Sequence, residues 1–176
     1  MAIISKLKLD SRQYEFLYIN IGGTYGLRLN IADTASTSTS LNKNTTLSNA
    51  TWYHVVVTYD LSAGTAEYWV NGVSLGTTAG GATSLQNGDG PFTIANRAEP
   101  DGAAGICWDG AIDEIGVWAK ILTDGEIKAL YNDGSAIPYE VAATTSIKSI
   151  NGLAYASIKS VNGLAVASVK SFNNLE

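Results

Sequence analysis

Apolar residues recur at alternate positions over much of the chain between residues 3 and 120, the mark of β-strands with one buried face. Tyr25, Leu27, Leu29 and Ile31 alternate with Gly26, Arg28 and Asn30, which predicts such a strand. Ile3–Lys6 predicts a shorter one. Residues 14–21 are apolar on both faces and rich in aromatic and β-branched residues, as expected of a central strand. The Thr/Ser/Asn-rich stretch between Ala32 and Leu47 reads as a long loop with room for a short strand. Residues 52–59 give the strongest strand pattern. Residues 65–70 and 73–77 flank Asn71-Gly72, the dipeptide that a two-residue type I′ hairpin favours. A loop over 80–90, a short strand over 92–95, a Gly/Ala/Pro-containing loop over 97–105 and a last long strand over 111–120 complete the series.

One helix interrupts the β pattern. Thr123 and Glu126 have the spacing of a capping box, Ile127, Leu130 and Tyr131 form an apolar stripe, and Asp133-Gly134 supplies the stop. The tail changes character again. Residues 146–156, 157–167 and 168–176 read SIKSINGLAYA, SIKSVNGLAVA and SVKSFNNLE, near-copies with a period of eleven residues. Each unit sets Asn-Gly or Asn-Asn between two short apolar runs and predicts a small hairpin. In the first unit Ile150 opposes Leu153, Ser149 opposes Ala154 and Lys148 opposes Tyr155. A hairpin this small cannot bury its own apolar face, so stacking or a partner is required. The predicted organisation is a domain over 1–140, a linker over 141–145 and β-repeats over 146–176.

Composition narrows the function. The 176 residues are 45% hydrophobic and 15% charged, with a net charge of −5, a globular balance with sparse surface charge. Three lysines against Glu176 give the tail +2, which leaves −7 for residues 1–145 out of the total of −5. An acidic chain with scattered Lys and Arg has no electrostatic pull on phosphate backbones, which argues against nucleic acid as a partner. Cys107 is the only cysteine, so an intrachain disulfide and Cys-cluster zinc sites are excluded. There is no run of apolar residues long enough to span a bilayer and no signal-peptide pattern at the N-terminus, so no membrane insertion is expected.

Five motifs in order carry a family resemblance. They are Trp52-Tyr-His-Val-Val-Val-Thr-Tyr-Asp60, Trp69-Val-Asn-Gly72, Phe92-Thr-Ile-Ala95, Gly110-Ala-Ile-Asp-Glu-Ile-Gly-Val-Trp118, and Leu122-Thr123 with Glu126-Ile127 and Leu130-Tyr131. Together they resemble the laminin G-like, concanavalin A-like lectin family. That resemblance implies an all-β fold: a two-sheet antiparallel jelly-roll sandwich with one short C-terminal helix, here followed by the hairpin repeats. It also implies that Trp52 and Trp118 occupy core positions. Members of the family usually carry further strands before the one at Ile3–Lys6. The expectation is therefore an open sheet edge, covered by the repeat tail or by a neighbouring subunit.

The candidate chemistry follows from the residues that remain. Glycan cleavage on this architecture needs paired carboxylates on one strand face. Asp113 and Glu114 are adjacent, so on a strand they point to opposite faces. His54 is the only histidine and has no second base in view. A non-enzymatic role is expected, with a packed His54 donating to backbone. Trp69, beside a hairpin turn, and Trp108, at the end of the 97–105 loop, are the candidates for stacking on a sugar ring, with Asn96 and Arg97 as polar partners. Asp101, Asp109 and Asp113 are the candidate ligands of a calcium ion, set against a reading in which Asp113 bonds loop backbone. The primary expectation is a structural or adhesion module of a virion or extracellular surface, with the repeat tail mediating homo-oligomerisation or docking to a neighbouring structural protein. The Asn-Gly-Leu-Ala repeats resemble those at the ends of some phage structural proteins. The alternative is a carbohydrate-binding module with a calcium-assisted rim site, and the third reading is a glycan-cleaving enzyme.

Overall fold

The computed structural model describes residues 1–7, 12–33, 38–97 and 106–135, together with the backbone of four two-residue strands in the tail. The chain divides into two compact units, Met1–Ile137 and Pro138–Glu176.

The first unit is a jelly-roll sandwich of two antiparallel sheets. The larger one is built from β1 (Ala2–Lys6), β2 (Tyr14–Ile21), β3 (Thr24–Ala32), β4 (Ser38–Asn44) and β8 (Phe92–Ile94), in the order β4-β3-β2-β1-β8. The smaller one has the order β5-β6-β7, from β5 (Val55–Asp60), β6 (Thr65–Val70) and β7 (Val73–Ala79). Alternation determines which side chains fill the space between the sheets. Phe16 and Tyr18 of β2, Leu27, Leu29 and Ile31 of β3, and Leu41 of β4 meet Ala66 and Tyr68 of β6. Tyr68 is fully buried and ties the two layers together: its hydroxyl donates to the Leu41 carbonyl (2.7 Å) and accepts from the Leu29 N–H (3.2 Å). Burial pushes its pKa up to about 12.

The β6–β7 hairpin turns on Asn71-Gly72 as expected. Both residues have positive φ (50° and 71°), the geometry that matches the twist of the flanking strands. Asn71 also ties this turn to the segment before β5: its Oδ1 accepts from the His54 N–H (2.9 Å), and its own N–H donates to the His54 carbonyl (2.8 Å).

The single helix, α1 (Asp124–Tyr131), has the expected capping box, with the Thr123 hydroxyl accepting from Glu126 N–H and the Glu126 carboxylate accepting from Thr123 N–H. It ends at Asn132 in the left-handed region. Ile127 and Leu130, with Leu122, cover Trp69 and Val56 on the outer face of the smaller sheet. Among the described residues no helix is long and apolar enough to cross a membrane.

Three expectations are corrected. The Ala32–Leu47 stretch holds a full seven-residue strand, β4, because its polar residues alternate around a buried Leu41. Residues 111–118 form no ladder. Glu114 sits at φ 51°, in the left-handed region, which breaks the alternation that pairing requires. Trp52 and Trp118 are not core residues, being 68% and 45% exposed. Trp52 precedes the first paired residue of β5, and the Trp118 ring lies over its own chain at Gly116.

In the second unit β9 (Ser149–Ile150) pairs with β10 (Leu153–Ala154), and β11 (Ser160–Val161) pairs with β12 (Leu164–Ala165). Ile150 opposes Leu153 and Ser149 opposes Ala154, as the repeat predicts. The third repeat and the Lys148–Tyr155 pairing lie outside the described residues.

A polar row across the five-stranded sheet

The outward face of the larger sheet carries a line of polar side chains in direct cross-strand register. Thr93 of β8 opposes Ser5 of β1, Ser5 opposes Glu15 of β2, Glu15 opposes Asn30 of β3, and Asn30 opposes Ser40 of β4. Directly opposed side chains are near enough to touch, and here they form a continuous network. Ser40 Oγ donates to Asn30 Oδ1 (2.7 Å), and Asn30 Nδ2 donates to Glu15 Oε2 (3.0 Å). Glu15 Oε1 faces Arg97 Nε at 3.0 Å and, at 3.5 Å, the Ser5 hydroxyl. Since a carboxylate only accepts, Glu15 fixes which end of the Asn30 amide carries the N–H groups.

Two residues along the strands a second line runs parallel to the first: Leu17, Arg28 and Asn42 oppose one another in turn. Arg28 Nε donates to Asn42 Oδ1 (2.7 Å). Burial grades across this face. Ser5 is fully buried and Glu15 is 3% exposed, while Arg28, Asn30 and Asn42 are half-buried and Ser40 is open to solvent. The buried end therefore orients the groups at the accessible end.

The residues singled out from sequence separate into two sets. Arg97 joins the row through Glu15. Asn96 borders it, its carbonyl accepting from the Thr93 hydroxyl (2.6 Å) and its Oδ1 facing Cys107 Sγ (3.5 Å). Trp69 has no open face for stacking, whereas Trp108 is only half-buried. Trp69 is 2% exposed beneath α1, and Trp108 packs against the main core. The reason is alternation: Trp69 lies on the outer face of β6, which the helix covers.

Asp109 and Asp113 are exposed, and Asp113 Oδ1 accepts from the Glu114 N–H (2.9 Å), the loop-backbone role weighed for it above. Asp101 lies outside the described residues. Among the described residues no three His, Cys, Asp or Glu side chains converge as metal ligands would. The His54 ring stacks on Tyr131, with centroids 5.9 Å apart, and Nδ1 has no hydrogen-bond partner among the described residues; the main-chain N–H of His54 donates to the Asn71 side chain. Burial pushes the His54 pKa down, and the nearby Glu114 charge offsets part of that shift.

The row itself is not evident from the strand pattern. Its one signal is Glu15, the one charged residue of a mostly apolar central strand, where a carboxylate is costly unless paired.

A family model described as the concanavalin A-like lectin/glucanases superfamily matches residues 1–128. Two solved structures are similar in fold. The native heptameric SAP-like pentraxin from Limulus polyphemus aligns with a TM-score of 0.59 and 21% identity, over 74% of this chain and 62% of the pentraxin. The CBM40 of the Ruminococcus gnavus IT-sialidase aligns with a TM-score of 0.58 and 16% identity, over 74% of this chain and 73% of that domain. The chain thus spans less than two thirds of the pentraxin's length. No curated protein matches the sequence.

Proposed function

The chain belongs to the concanavalin A-like lectin/glucanases superfamily, and from that premise we propose that it is a non-catalytic glycan-binding domain whose recognition face is the cross-strand row. The observation that carries this reading is the Ser5–Glu15–Asn30–Ser40 network, which holds the half-buried Asn30 amide in one orientation beside Arg28, Asn42 and Ser40. Sugar hydroxyls both donate and accept, and amide, hydroxyl and guanidinium groups fixed before binding meet them at small entropic cost. A carbohydrate-binding module among the structural neighbours supports the same reading. Hydrolysis is disfavoured because the row contains one carboxylate, and both oxygens of Glu15 already have partners. Glycosidases need a second carboxylate across the scissile bond.

The test is a glycan array probed with the intact chain and with Asn30→Ala. Binding to a defined set of glycans is expected, reduced at least about tenfold in the variant, the scale of one or two lost hydrogen bonds in a desolvated site. A natively folded chain that binds no glycan on the array overturns the reading.

The tail favours an added role in assembly, with the module displayed on a virion or extracellular surface. Two hairpins recur at the repeat period, and small hairpins need a partner to cover their apolar side. Light scattering on the whole chain and on a chain ending at residue 145 should give an oligomer and a smaller species. A monomer in both removes this role.

A further inference from the structure

The polar row also has a sign. Three charged side chains have been placed on it: Glu15, Arg97 and Arg28. Glu15 and Arg97 form an ion pair at 3.0 Å and neutralise each other. Arg28 stands apart. Its cross-strand neighbours are Leu17 on one side and Asn42 on the other, and the next outward residue of β3 is Asn30. Its Nε is engaged by Asn42 Oδ1, a neutral acceptor that fixes the plane of the guanidinium without cancelling its charge. A half-buried guanidinium loses solvation that a neutral amide only partly restores. The Nη pair is a planar fork, which matches two oxygens in one plane.

Resting on the glycan-binding reading above, we propose that the glycan recognised by this face is acidic, a sugar bearing a carboxylate, and that Arg28 is the residue that reads it. The carboxylate accepts from the Arg28 fork, while Asn30, Ser40 and Asn42 take the neighbouring hydroxyls. Asn42 has a second task here as a positioning residue, because its contact with Nε sets the direction of the fork. Lysine at position 28 would supply the charge but not the two parallel bonds.

The probe is an array printed with matched pairs: sialylated and asialo glycans, uronic-acid oligosaccharides and their neutral counterparts, and sulfated glycans. The intact chain should prefer the carboxylate member of a pair at least about tenfold, the range of one charge-assisted bidentate contact. Arg28→Gln should abolish that preference, so that acidic and neutral members of a pair bind equally, in a chain that still shows a cooperative melting transition. Arg28→Lys should keep part of it. The preference should also shrink between low and high salt, as a solvent-accessible charge contact must. Equal binding to acidic and neutral members, preference for sulfated over carboxylated glycans, or a preference that survives Arg28→Gln overturns the assignment and leaves the glycan-binding reading standing. Binding to no glycan at all removes both.

Discussion

Replacing Glu15 with alanine is expected to destabilise the domain by about 3 kcal/mol in urea denaturation, the lower end of the range for breaking a buried ion pair. The carboxylate is almost wholly buried and accepts from Asn30 while facing Arg97 and Ser5. Its loss takes one charged partner from the Arg97 guanidinium and leaves the Asn30 amide and the Ser5 hydroxyl short of an acceptor. The figure sits at the lower end because the Arg97 side chain is 22% exposed and can regain some water. Glu15→Gln keeps the shape and one acceptor oxygen but sets an NH₂ group against donors, so about half that loss is expected. The two variants separate stability from recognition. If the row works as a unit, Glu15→Gln should weaken glycan binding even where the fold survives, since the Asn30 amide is no longer held one way. Wild-type stability in Glu15→Ala would mean that the network contributes nothing to the fold.

A loss of similar size is expected from Tyr68→Phe, about 1–3 kcal/mol, because two backbone groups inside the sandwich lose a partner while the ring stays in place. The hydroxyl also makes stability depend on pH. In the folded chain the Tyr68 pKa is about 12, against about 10 for an unperturbed tyrosine. Below pH 10 the phenol is protonated in both states and its contribution is fully present. Above pH 10 the unfolded chain releases the proton first, so stability falls as pH rises towards 12, by on the order of 2–3 kcal/mol across the window. Tyr59 and Tyr14, whose pKa values are also raised by burial, add to the same trend. Alkaline unfolding followed by tryptophan fluorescence should therefore be less steep in Tyr68→Phe than in the wild type. An identical pH profile in the two proteins would show that the buried phenol does not govern it.

The strands with one apolar and one polar face were legible from the chain alone. β3 follows from Leu27, Leu29 and Ile31, and the β6–β7 hairpin from Asn71-Gly72, because period-2 burial and type I′ geometry are local properties. The capping box at Thr123 and Glu126 was legible for the same reason. β4 was hidden by its polarity: a strand whose exposed residues are Ser, Thr and Asn has the composition of a loop until Leu41 is seen to be buried. The strand expected over 111–120 failed at Glu114, where one positive φ outweighs a favourable pattern.

The candidate site divides in the same way. Arg97 and Asn96 were found as polar residues near a loop, but their partners Glu15 and Thr93 are 82 and 3 residues away in the chain. Trp69 carried the chemistry of a sugar platform and was displaced from that role by a helix 55 residues further on, beginning at Asp124. Sequence determined which side chains alternate, where the chain turns, and that the domain is built from β-strands, since these depend on residues close together along the backbone. Tertiary structure alone decided that Ser5, Glu15, Asn30 and Ser40 stand in one row and that Trp69 lies under α1. Register between strands, and the choice of which face another element covers, are settled by contacts between distant segments, and no local pattern encodes them.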